Sequence, residues 1–475
     1  MGALQEIART LNKTYFHLLS YIRPRSMEFQ VAWNRAAWLA LLAIAGFWID
    51  ILAWWPGLMS FDSAYAWWQA RGGETTDVGS PVMIALWSVL DDILEGPGLV
   101  FALHAALFWI GLGLVLYGER ISHWKAIVAV GVVAFNPLIW LLRGQVWTDT
   151  GMMSALLGAA GMLAAFDRCR RSGFLVLALV LMFYAIALRH NAWPAVFPLL
   201  YWWVLLAFGE TSWRSRSARI IGRSLIAVVL ASAMSIVLAA INSRVDHHVP
   251  IWPSLAEWDL AALSIASDTM LLPSFMIGPG LTVDELGAAF RPWSNVPMLQ
   301  NTHHGMRDPL LGEYTTAELA TLGAAWRSAI MNNPFAWLRH RLRLTVALFG
   351  RHPADWPREL IYSPIEYQYR DNPAVIVNDT SLRQLLLRAA ECLRSTSALA
   401  AWPYLLVGLA ALPLAWRKRW GDRIFVAVML ASAWSYALPL VFIAPAAETR
   451  YLGWSCLASL VALISFGRAR DKTTE

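Results

Sequence analysis

Four short polar segments, each beside an apolar run, carry the side chains best suited to chemistry. Their candidate residues are three carboxylates, two arginines, one histidine and one tyrosine: Asp62, Asp149, Glu448, Arg189, Arg450, His190 and Tyr451. A carboxylate can act as a general base or bind a metal ion, whereas Arg or His can hold a phosphate by charge and hydrogen bonds. Together they would suit a site that binds a phosphate and removes a proton.

Each candidate also has a purely structural interpretation. Asp62 can be a helix cap or a loop charge, and Asp149 can be the N-cap of the helix that follows it. Arg189 can extend to lipid headgroups, and Arg450 can anchor its segment at a membrane surface. Paired histidines in a longer polar stretch are ordinarily surface residues: His247, His248, His303 and His304. Only the co-location of the candidates favours a functional site.

The composition indicates which elements must position these residues. Of 475 residues, 58% are hydrophobic and only 15% are charged, and 27 are tryptophan. This is typical of an integral membrane protein, in which tryptophan rings favour the ends of spanning helices. The net charge of +6 comes from basic clusters between apolar runs, which argues for cytoplasmic loops and against a nucleic-acid partner. The three cysteines show no CxxC spacing, so neither a disulfide framework nor a zinc site is indicated.

The apolar runs predict about ten membrane spans, because roughly twenty apolar residues are needed to cross the hydrocarbon core. The predicted spans are 36–55, 98–117, 126–142, 151–167, 173–189, 192–208, 224–241, 397–416, 424–443 and 452–467. The predicted fold is therefore an all-α polytopic membrane protein with short interfacial helices and a small extracytoplasmic domain.

The basic clusters orient these spans. With about ten spans, every cluster falls on the cytoplasmic side, so both termini are predicted to be cytoplasmic and the four candidate segments extracytoplasmic. The predicted organisation is a cytoplasmic segment 1–35, a bundle of about seven helices over 36–241 whose first outer loop carries Asp62, an extracytoplasmic domain 242–396, three last helices over 397–467 and a cytoplasmic tail 468–475.

Two further helices are predicted at the membrane surface. Phe61–Ala70 contains Tyr65, Trp67 and Trp68, which suit an interfacial position. Asn333–Gly350 alternates arginine with apolar residues and is also predicted to be interfacial. We reject a further span there because its arginines are costly in lipid and because the next arginine cluster would then lie outside.

The four polar segments resemble the motifs of the C-fold membrane glycosyltransferases, which take a sugar from a polyprenyl-phosphate donor. In that family an acidic residue follows the first span and precedes a short amphipathic helix, as Asp62 does. A second acidic residue opens the fourth span, as Asp149 does. An arginine precedes a proline-containing sixth span, as in Arg189–Pro194, and an Arg-Tyr pair precedes the last span, as Arg450 and Tyr451 do.

The resemblance covers the first six spans and the end of the chain, and it is weak over the long polar stretch. The chain is similar to the bacterial superfamily of dolichyl-phosphate-mannose mannosyltransferase-like and lipid A aminoarabinose transferase-like proteins. Two positions depart from the pattern. Ser63 follows Asp62 where relatives more often have Glu, and Gly79–Pro81 stands where many relatives have His-Pro-Pro. These departures leave a divalent metal ion at the site open, and no metal ligand is assigned.

The resemblance implies an inverting transfer in which Asp62 deprotonates the acceptor and Asp149 supports it. The residues implied for the donor phosphate are Arg189, His190, Arg450 and Tyr451. Those implied for the acceptor or for support are Ser63, Glu448, His303 and His304. The implied partners are a polyprenyl-phosphate-linked sugar, a lipid or glycan acceptor of the cell envelope and the lipids of a bacterial inner membrane, with no certain cofactor.

Two other functions are compatible with the sequence. A polymerase or ligase of surface polysaccharide would use similar lipid-linked substrates. A transporter or flippase would be expected to carry its polar site near the bilayer midplane. Apart from His104, the predicted spans are largely free of ionisable residues at mid-depth, and the charges collect at one face. This pattern argues against transport.

Overall fold

The structure is a computed structural model that describes residues 34–209, 216–299, 307, 314–350, 357, 360–363, 367–417 and 420–467. Over these residues the secondary structure is helical, with no strand and only isolated backbone bridges. The all-α class predicted from the sequence is confirmed.

Nineteen α-helices are described. The first ten are α1 (Asn34–Trp54), α2 (Phe61–Ala70), α3 (Pro81–Asp91), α4 (Gly98–Gly118), α5 (His123–Val133), α6 (Pro137–Arg143), α7 (Thr148–Cys169), α8 (Gly173–Leu188), α9 (Trp193–Phe208) and α10 (Arg216–Asn242). The others are α11 (Trp252–Ser267), α12 (Val283–Ala289), α13 (Val296–Leu299), α14 (Thr316–Asn332), α15 (Pro334–Leu348), α16 (Ser381–Leu393), α17 (Trp402–Ala415), α18 (Trp420–Ile443) and α19 (Gly453–Ala462).

Seven helical segments in the described part of the chain are long and apolar enough to cross a membrane. They comprise α1, α4, α7, α10 and most of α18, together with α9 and α19 extended by the 3₁₀ turns beside them. The other three of the ten predicted spans correspond to the bent pair α5–α6 and to the shorter helices α8 and α17. Helix α3, which is also short and apolar, was not predicted from the sequence.

The third predicted span is not one straight helix. α5 and α6 meet at a bend of 71°, at Asn136-Pro137. Proline cannot donate the helical N–H bond and disfavours a helical conformation in the residue before it. The Asn136 side chain instead accepts hydrogen bonds from the backbone N–H groups of Leu138 and Ile139 at 3.1 and 3.5 Å, and so starts α6 as its N-cap.

Glycine residues bring α4 and α7 into contact at the centre of the bundle. A Cβ atom on Gly161 would lie 2.4 Å from the backbone oxygen of Gly111, and one on Gly118 would lie 2.6 Å from the backbone of Ala164. Small residues at such crossings let helix backbones approach closely, which is how membrane helices associate without a hydrophobic driving force between them. α7 is almost wholly buried as a result.

Helix α10 lies at the opposite extreme. Most of its apolar side chains are exposed, including Ile221 at 67% and Ile236 at 70%. A contiguous apolar surface of this kind is costly in water and is what a lipid-facing helix presents. It supports the membrane assignment.

The two ends of the bundle differ in their charges. At the end where α4 finishes, Arg35 donates to the backbone oxygen of Ile121 and Arg168 donates to that of Tyr117. The loops at this end therefore bring together arginines from segments that the charge pattern predicts to be cytoplasmic. α4 starts at the other end, where Gly98 packs against Trp55 beyond the end of α1. We call this second end the Asp62 end.

The described residues between 246 and 396 form helices α11 to α16 and the segments that join some of them, and several of these segments contact the Asp62 end. Inside them the Asp259 carboxylate is fully buried and lies 2.6 Å from Arg341 and 3.4 Å from His340. Burial lowers the pKa of the His340 imidazole, so the ion pair is between Asp259 and Arg341 at neutral pH. Arg341 also donates to the backbone oxygen of Ala444 at 3.0 Å, which ties this region to the loop between α18 and α19.

Both segments predicted to form surface helices are helical, with two corrections. α2 spans Phe61–Ala70 as predicted, but Trp67 points inward and donates its indole N–H to Asp91 at 2.7 Å. α15 spans Pro334–Leu348, inside the predicted segment 333–350. Its Arg341 is buried rather than at the surface, because Asp259 offsets its charge.

Candidate functional site

The first loop is fixed to the turn between α6 and α7. The backbone N–H of Leu58 donates to the oxygen of Gly144 at 2.8 Å, and the N–H of Val146 donates to the oxygen of Leu58 at 3.0 Å. The Ser63 hydroxyl donates to the oxygen of Val146 at 2.6 Å. These bonds join segments more than eighty residues apart, and they bring Asp62 on α2 close to the start of α7.

Two arginines and three carboxylates form one ion-pair network at this junction. Arg189, at the end of α8, lies 3.1 Å from Asp149 on the first turn of α7. Arg450 donates to Asp62 at 2.5 Å and pairs with Glu448. The Arg450 Nε atom also lies 3.9 Å from Asp149. We call these five residues the charge network.

Aromatic rings fix the two guanidinium groups. The Arg189 guanidinium lies 5.4 Å from the centre of the Tyr451 ring, and that of Arg450 lies 5.4 Å from the same ring. On its other side Arg450 lies 4.9 Å from the Trp147 ring. Cation–π contacts of this kind stabilise a cation that has lost part of its water. Both cations are therefore held in place before any ligand arrives.

The carboxylates differ in how far they can reach solvent. The Asp62 side chain is 55% exposed, whereas that of Asp149 is 3% exposed. Neither oxygen of Asp149 has a hydrogen-bond partner of good geometry. Asp62 is therefore the acid that a molecule arriving from solvent would meet, whereas Asp149 is buried beside the arginines with acceptor capacity to spare.

The pKa values follow from burial and from the neighbouring charges. Burial would raise the pKa of the Asp62 carboxyl, but Arg450 and then Arg189 outweigh it and hold that pKa below its ordinary value. Burial raises the pKa of the Glu448 carboxyl above its ordinary value, and the repulsion from Asp62 and Asp149 adds to this despite Arg450. Although burial disfavours a charged Arg189, Asp149 raises its pKa. The network thus favours ionised Asp62 and resists a third negative charge at Glu448.

The structural alternatives for two of the candidates can be compared with the contacts. Ser60 is the N-cap of α2, and Asp62 on its first turn binds Arg450 rather than capping the helix. Trp147 occupies the N-cap position of α7, so Asp149 is not an N-cap. Both carboxylates are in the charge network instead.

Not every candidate belongs to the network. His190 lies on a 3₁₀ turn, is exposed and contacts the Asn242 side chain at 3.0 Å. The Ser63 hydroxyl is buried and joins α2 to Val146. His303 and His304 lie outside the described residues. Tyr451 is in contact with both arginines, as given above.

Sequence reasoning missed a buried ion pair below the network. Asp50 lies one helical turn before the end of α1 and pairs with Arg143 at the end of α6, and both side chains are 1% exposed. Asp50 also accepts hydrogen bonds from the indoles of Trp109 and Trp140 at 2.7 and 2.9 Å. The signal was an aspartate inside an otherwise apolar run, which can be buried in lipid-spanning structure only if it is paired.

The Asp259 cluster was also missed, because its residues are distant in sequence. Arg341 of this cluster and the segment 293–295 both bind the loop that precedes Glu448. Besides the Arg341 bond to Ala444, the N–H of Asn295 donates to the oxygen of Pro445 at 3.1 Å, and that of Ala447 donates to Trp293 at 2.7 Å.

The network offers cations for an anion and a carboxylate for a proton, but no evident metal site. In the described part of the chain no three His, Cys, Asp or Glu side chains are grouped as metal ligands. The three carboxylates of the charge network are paired with arginines. A separate cleft of about 960 Å³ lies between α2, α3 and the end of α10. None of the charge-network residues lines it. Comparison with protein-family models, curated proteins and solved structures gives no match for this chain.

Proposed function

We propose that the protein is a membrane glycosyltransferase that transfers a sugar from a polyprenyl-phosphate donor to a cell-envelope acceptor, with inversion. The observation that carries the proposal is the charge network. It combines two immobilised arginines with one solvent-accessible aspartate, Asp62, at one end of a membrane bundle. Arginines in fixed positions stabilise charge that develops on a leaving phosphate, and an adjacent carboxylate can accept a proton.

The proposed reaction breaks one bond and forms one. The acceptor hydroxyl or amine attacks the anomeric carbon, and the bond from that carbon to the phosphate oxygen breaks. The electron pair leaves with polyprenyl phosphate, held by Arg189 and Arg450. The acceptor proton passes to Asp62.

The pairing of Asp62 with Arg450 suggests how the base is activated. While they are paired, the low pKa of the Asp62 carboxyl makes it a weak base. A donor phosphate that binds the Arg450 guanidinium in place of Asp62 would remove the main cause of that low pKa. Asp62 would thus gain basicity only when a donor is bound, which limits wasteful chemistry in its absence. Asp149 would hold Arg189 in position.

We infer that the working face is extracytoplasmic and that both termini are cytoplasmic, as in a bacterial inner membrane protein with about ten spans. This is supported by the arginines gathered at the end opposite Asp62. The bent pair α5–α6 and the shorter apolar helices α8 and α17 would supply the crossings beyond the seven long ones.

The two other functions remain as alternatives. A polysaccharide polymerase or ligase would use the same charge network on a lipid-linked glycan. A transporter or flippase is less well supported, because the buried acids Asp50 and Asp149 lie within about one turn of the ends of α1 and α7 at the Asp62 end. His104 lies within two turns of the same end and contacts Tyr184 at 2.9 Å.

The decisive experiment compares Asp62→Asn with Arg450→Gln in liposomes. Because the sugar is unknown, binding is measured with polyprenyl phosphate, the product common to all such donors, and transfer with a panel of polyprenyl-phosphate sugars. We expect Asp62→Asn to lower transfer by about 10² to 10⁴-fold while retaining polyprenyl-phosphate binding. Arg450→Gln should weaken that binding. The control is Asp92→Asn, an exposed residue outside the network.

Full transfer by the Asp62→Asn protein would remove Asp62 as the base. Translocation of the lipid by the wild-type protein without consumption of the sugar donor would favour the flippase instead.

A further inference from the structure

Five aromatic side chains form a continuous surface next to Asp62. Three come from one stripe of α2 and two from the segment 367–372. We call this set the aromatic wall: Phe61, Tyr65, Trp68, Tyr367 and Tyr369. Residues three and four apart lie on one face of a helix, so the stripe on α2 follows from its sequence.

The rings pack on one another in a defined geometry. Phe61 stacks on Tyr65 with ring centres 6.1 Å apart, and Tyr65 stacks on Trp68 at 6.0 Å. Tyr367 meets Phe61 edge-on at 5.5 Å. Tyr369 meets Phe61, Tyr65 and Trp68 edge-on at 5.3 to 5.7 Å. The wall is thus one packed unit, although its parts are three hundred residues apart.

Backbone hydrogen bonds hold the second segment against α2. The N–H of Tyr367 donates to the oxygen of Met59 at 3.2 Å. The buried Asn372 side chain donates to the oxygen of Ala64 at 2.8 Å, and Arg71 donates to the oxygen of Asp371 at 3.3 Å. Anchors on both sides make the wall a pre-organised surface, which lowers the entropy cost of binding a ligand to it.

The wall is open and adjoins the charge network. Phe61 is 48% exposed and Tyr367 is 46% exposed. Side chains of consecutive helix residues diverge by about 100°, so Phe61 and Asp62 project from adjacent sides of α2. Asp62 is in contact with Arg450. Asp62 therefore adjoins both the aromatic wall and the charge network.

We propose that the aromatic wall binds a saccharide ring of the acceptor, an inference that rests on the proposed function. One face of a pyranose ring presents C–H groups, which pack on the electron-rich face of an aromatic ring. The hydroxyls at the ring edge need polar partners, and the wall supplies the phenol groups of its tyrosines. A saccharide there would present a hydroxyl to Asp62 while the donor phosphate occupies the arginines on the far side. The acceptor is thus a glycan or a glycosylated lipid.

A simple membrane-anchoring role fits these residues less well. Aromatic anchors are distributed around the ends of many helices, whereas these five converge at one place beside an ionised carboxylate. The Arg370 guanidinium covers the Trp68 ring at 4.2 Å and lies 5.4 Å from the Tyr369 ring. A charged group on that surface is expensive in hydrocarbon, but it can donate hydrogen bonds to sugar hydroxyls.

The test measures binding of methyl glycosides of common hexoses by saturation-transfer NMR, with the full-length protein in nanodiscs free of sugar-headed detergent. We expect the wild-type protein to bind at least one of them. Tyr367→Ala should weaken that binding by about tenfold, and the matched control Tyr367→Phe, which keeps the ring, should bind within about twofold. Arg450→Gln should not change it. In transfer assays Tyr367→Ala should raise the acceptor KM and leave the donor KM unchanged.

The outcomes separate this proposal from the proposed function. Equal glycoside binding by wild type and Tyr367→Ala, or none by wild type, overturns the aromatic wall as a saccharide site, even if sugar transfer is observed. Glycoside binding that depends on Tyr367 in a protein that transfers no sugar leaves the wall as a saccharide site and contradicts the proposed function.

Discussion

Removal of one partner of the Asp50–Arg143 pair should destabilise the bundle strongly. Both side chains are 1% exposed, and breaking such a buried pair leaves an uncompensated charge that costs about 3–5 kcal/mol. The two indole bonds to Asp50 from Trp109 and Trp140 persist in an Arg143→Met protein, but each such bond offsets only about 0.6 kcal/mol on average in a membrane protein. We therefore expect Arg143→Met to cost about 2–4 kcal/mol.

The double variant gives the sharper result. Asp50→Leu with Arg143→Met removes both charges, so it should cost less than the two single substitutions added together, with a coupling energy of about 2 kcal/mol or more. The matched control is the exposed pair of Asp167 and Arg170, 3.0 Å apart, for which we expect coupling below about 1 kcal/mol. Unfolding in nanodiscs, followed by tryptophan fluorescence, measures all of these stabilities.

Additive costs for the buried pair would refute the reasoning, because they would mean that each charge is satisfied without the other. The same pair should also affect the site. Arg143 ends α6 immediately before the turn whose backbone holds Leu58. Arg143→Met should therefore weaken polyprenyl-phosphate binding as well as stability, whereas the Asp167 and Arg170 variants should change neither.

Two further predictions concern packing and pH. Gly161→Ala places a Cβ 2.4 Å from the Gly111 oxygen and should destabilise the bundle by about 1–3 kcal/mol. The control is Gly131→Ala, whose Cβ meets nothing within 4 Å and which should be neutral or stabilising by up to about 1 kcal/mol. Thermal unfolding distinguishes the two variants. The raised pKa of the Glu448 carboxyl means that rising pH adds a negative charge to the network, so polyprenyl-phosphate affinity should fall as pH rises through that pKa. In Glu448→Gln that decline should be absent, and an unchanged decline would exclude Glu448 as its source.

Much of the fold could be predicted because its main constraint is local. A span needs a continuous apolar run, so most crossings are visible without knowledge of any tertiary contact. The juxtaposition of Asp62, Asp149, Arg189 and Arg450 was accessible for a related reason. Successive spans run in opposite directions, so the end of one span and the start of the next lie at the same face of the membrane. Polar residues at span ends can therefore meet only at one of the two faces. Their proposed chemical roles remain predictions.

The rest depends on contacts that hydropathy does not record. The predicted span 126–142 is apolar throughout most of its length, so its hydropathy gave no sign of the 71° bend between α5 and α6. The signal for the bend was Pro137, which hydropathy does not record. Asp50 was overlooked inside an apolar run because its partner, Arg143, lies more than ninety residues away. Arg341 was predicted to be at the membrane surface because nothing in its own segment indicates Asp259.

The charges of the network constrain how a donor phosphate can bind. With every member ionised, three carboxylates face two arginines, and a phosphate would add one more negative charge. Such binding is favourable only if a carboxylate gives up its arginine or takes up a proton. The raised pKa of the Glu448 carboxyl and the displaceable, half-exposed Asp62 provide these two routes. Both place the adjustable groups around Arg450, while Asp149, buried beneath Arg189, keeps the second cation fixed. Arg450 would thus pair with Asp62 in the resting state and with the phosphate when a donor is bound. Replacing Arg450 should therefore uncouple the basicity of Asp62 from donor binding.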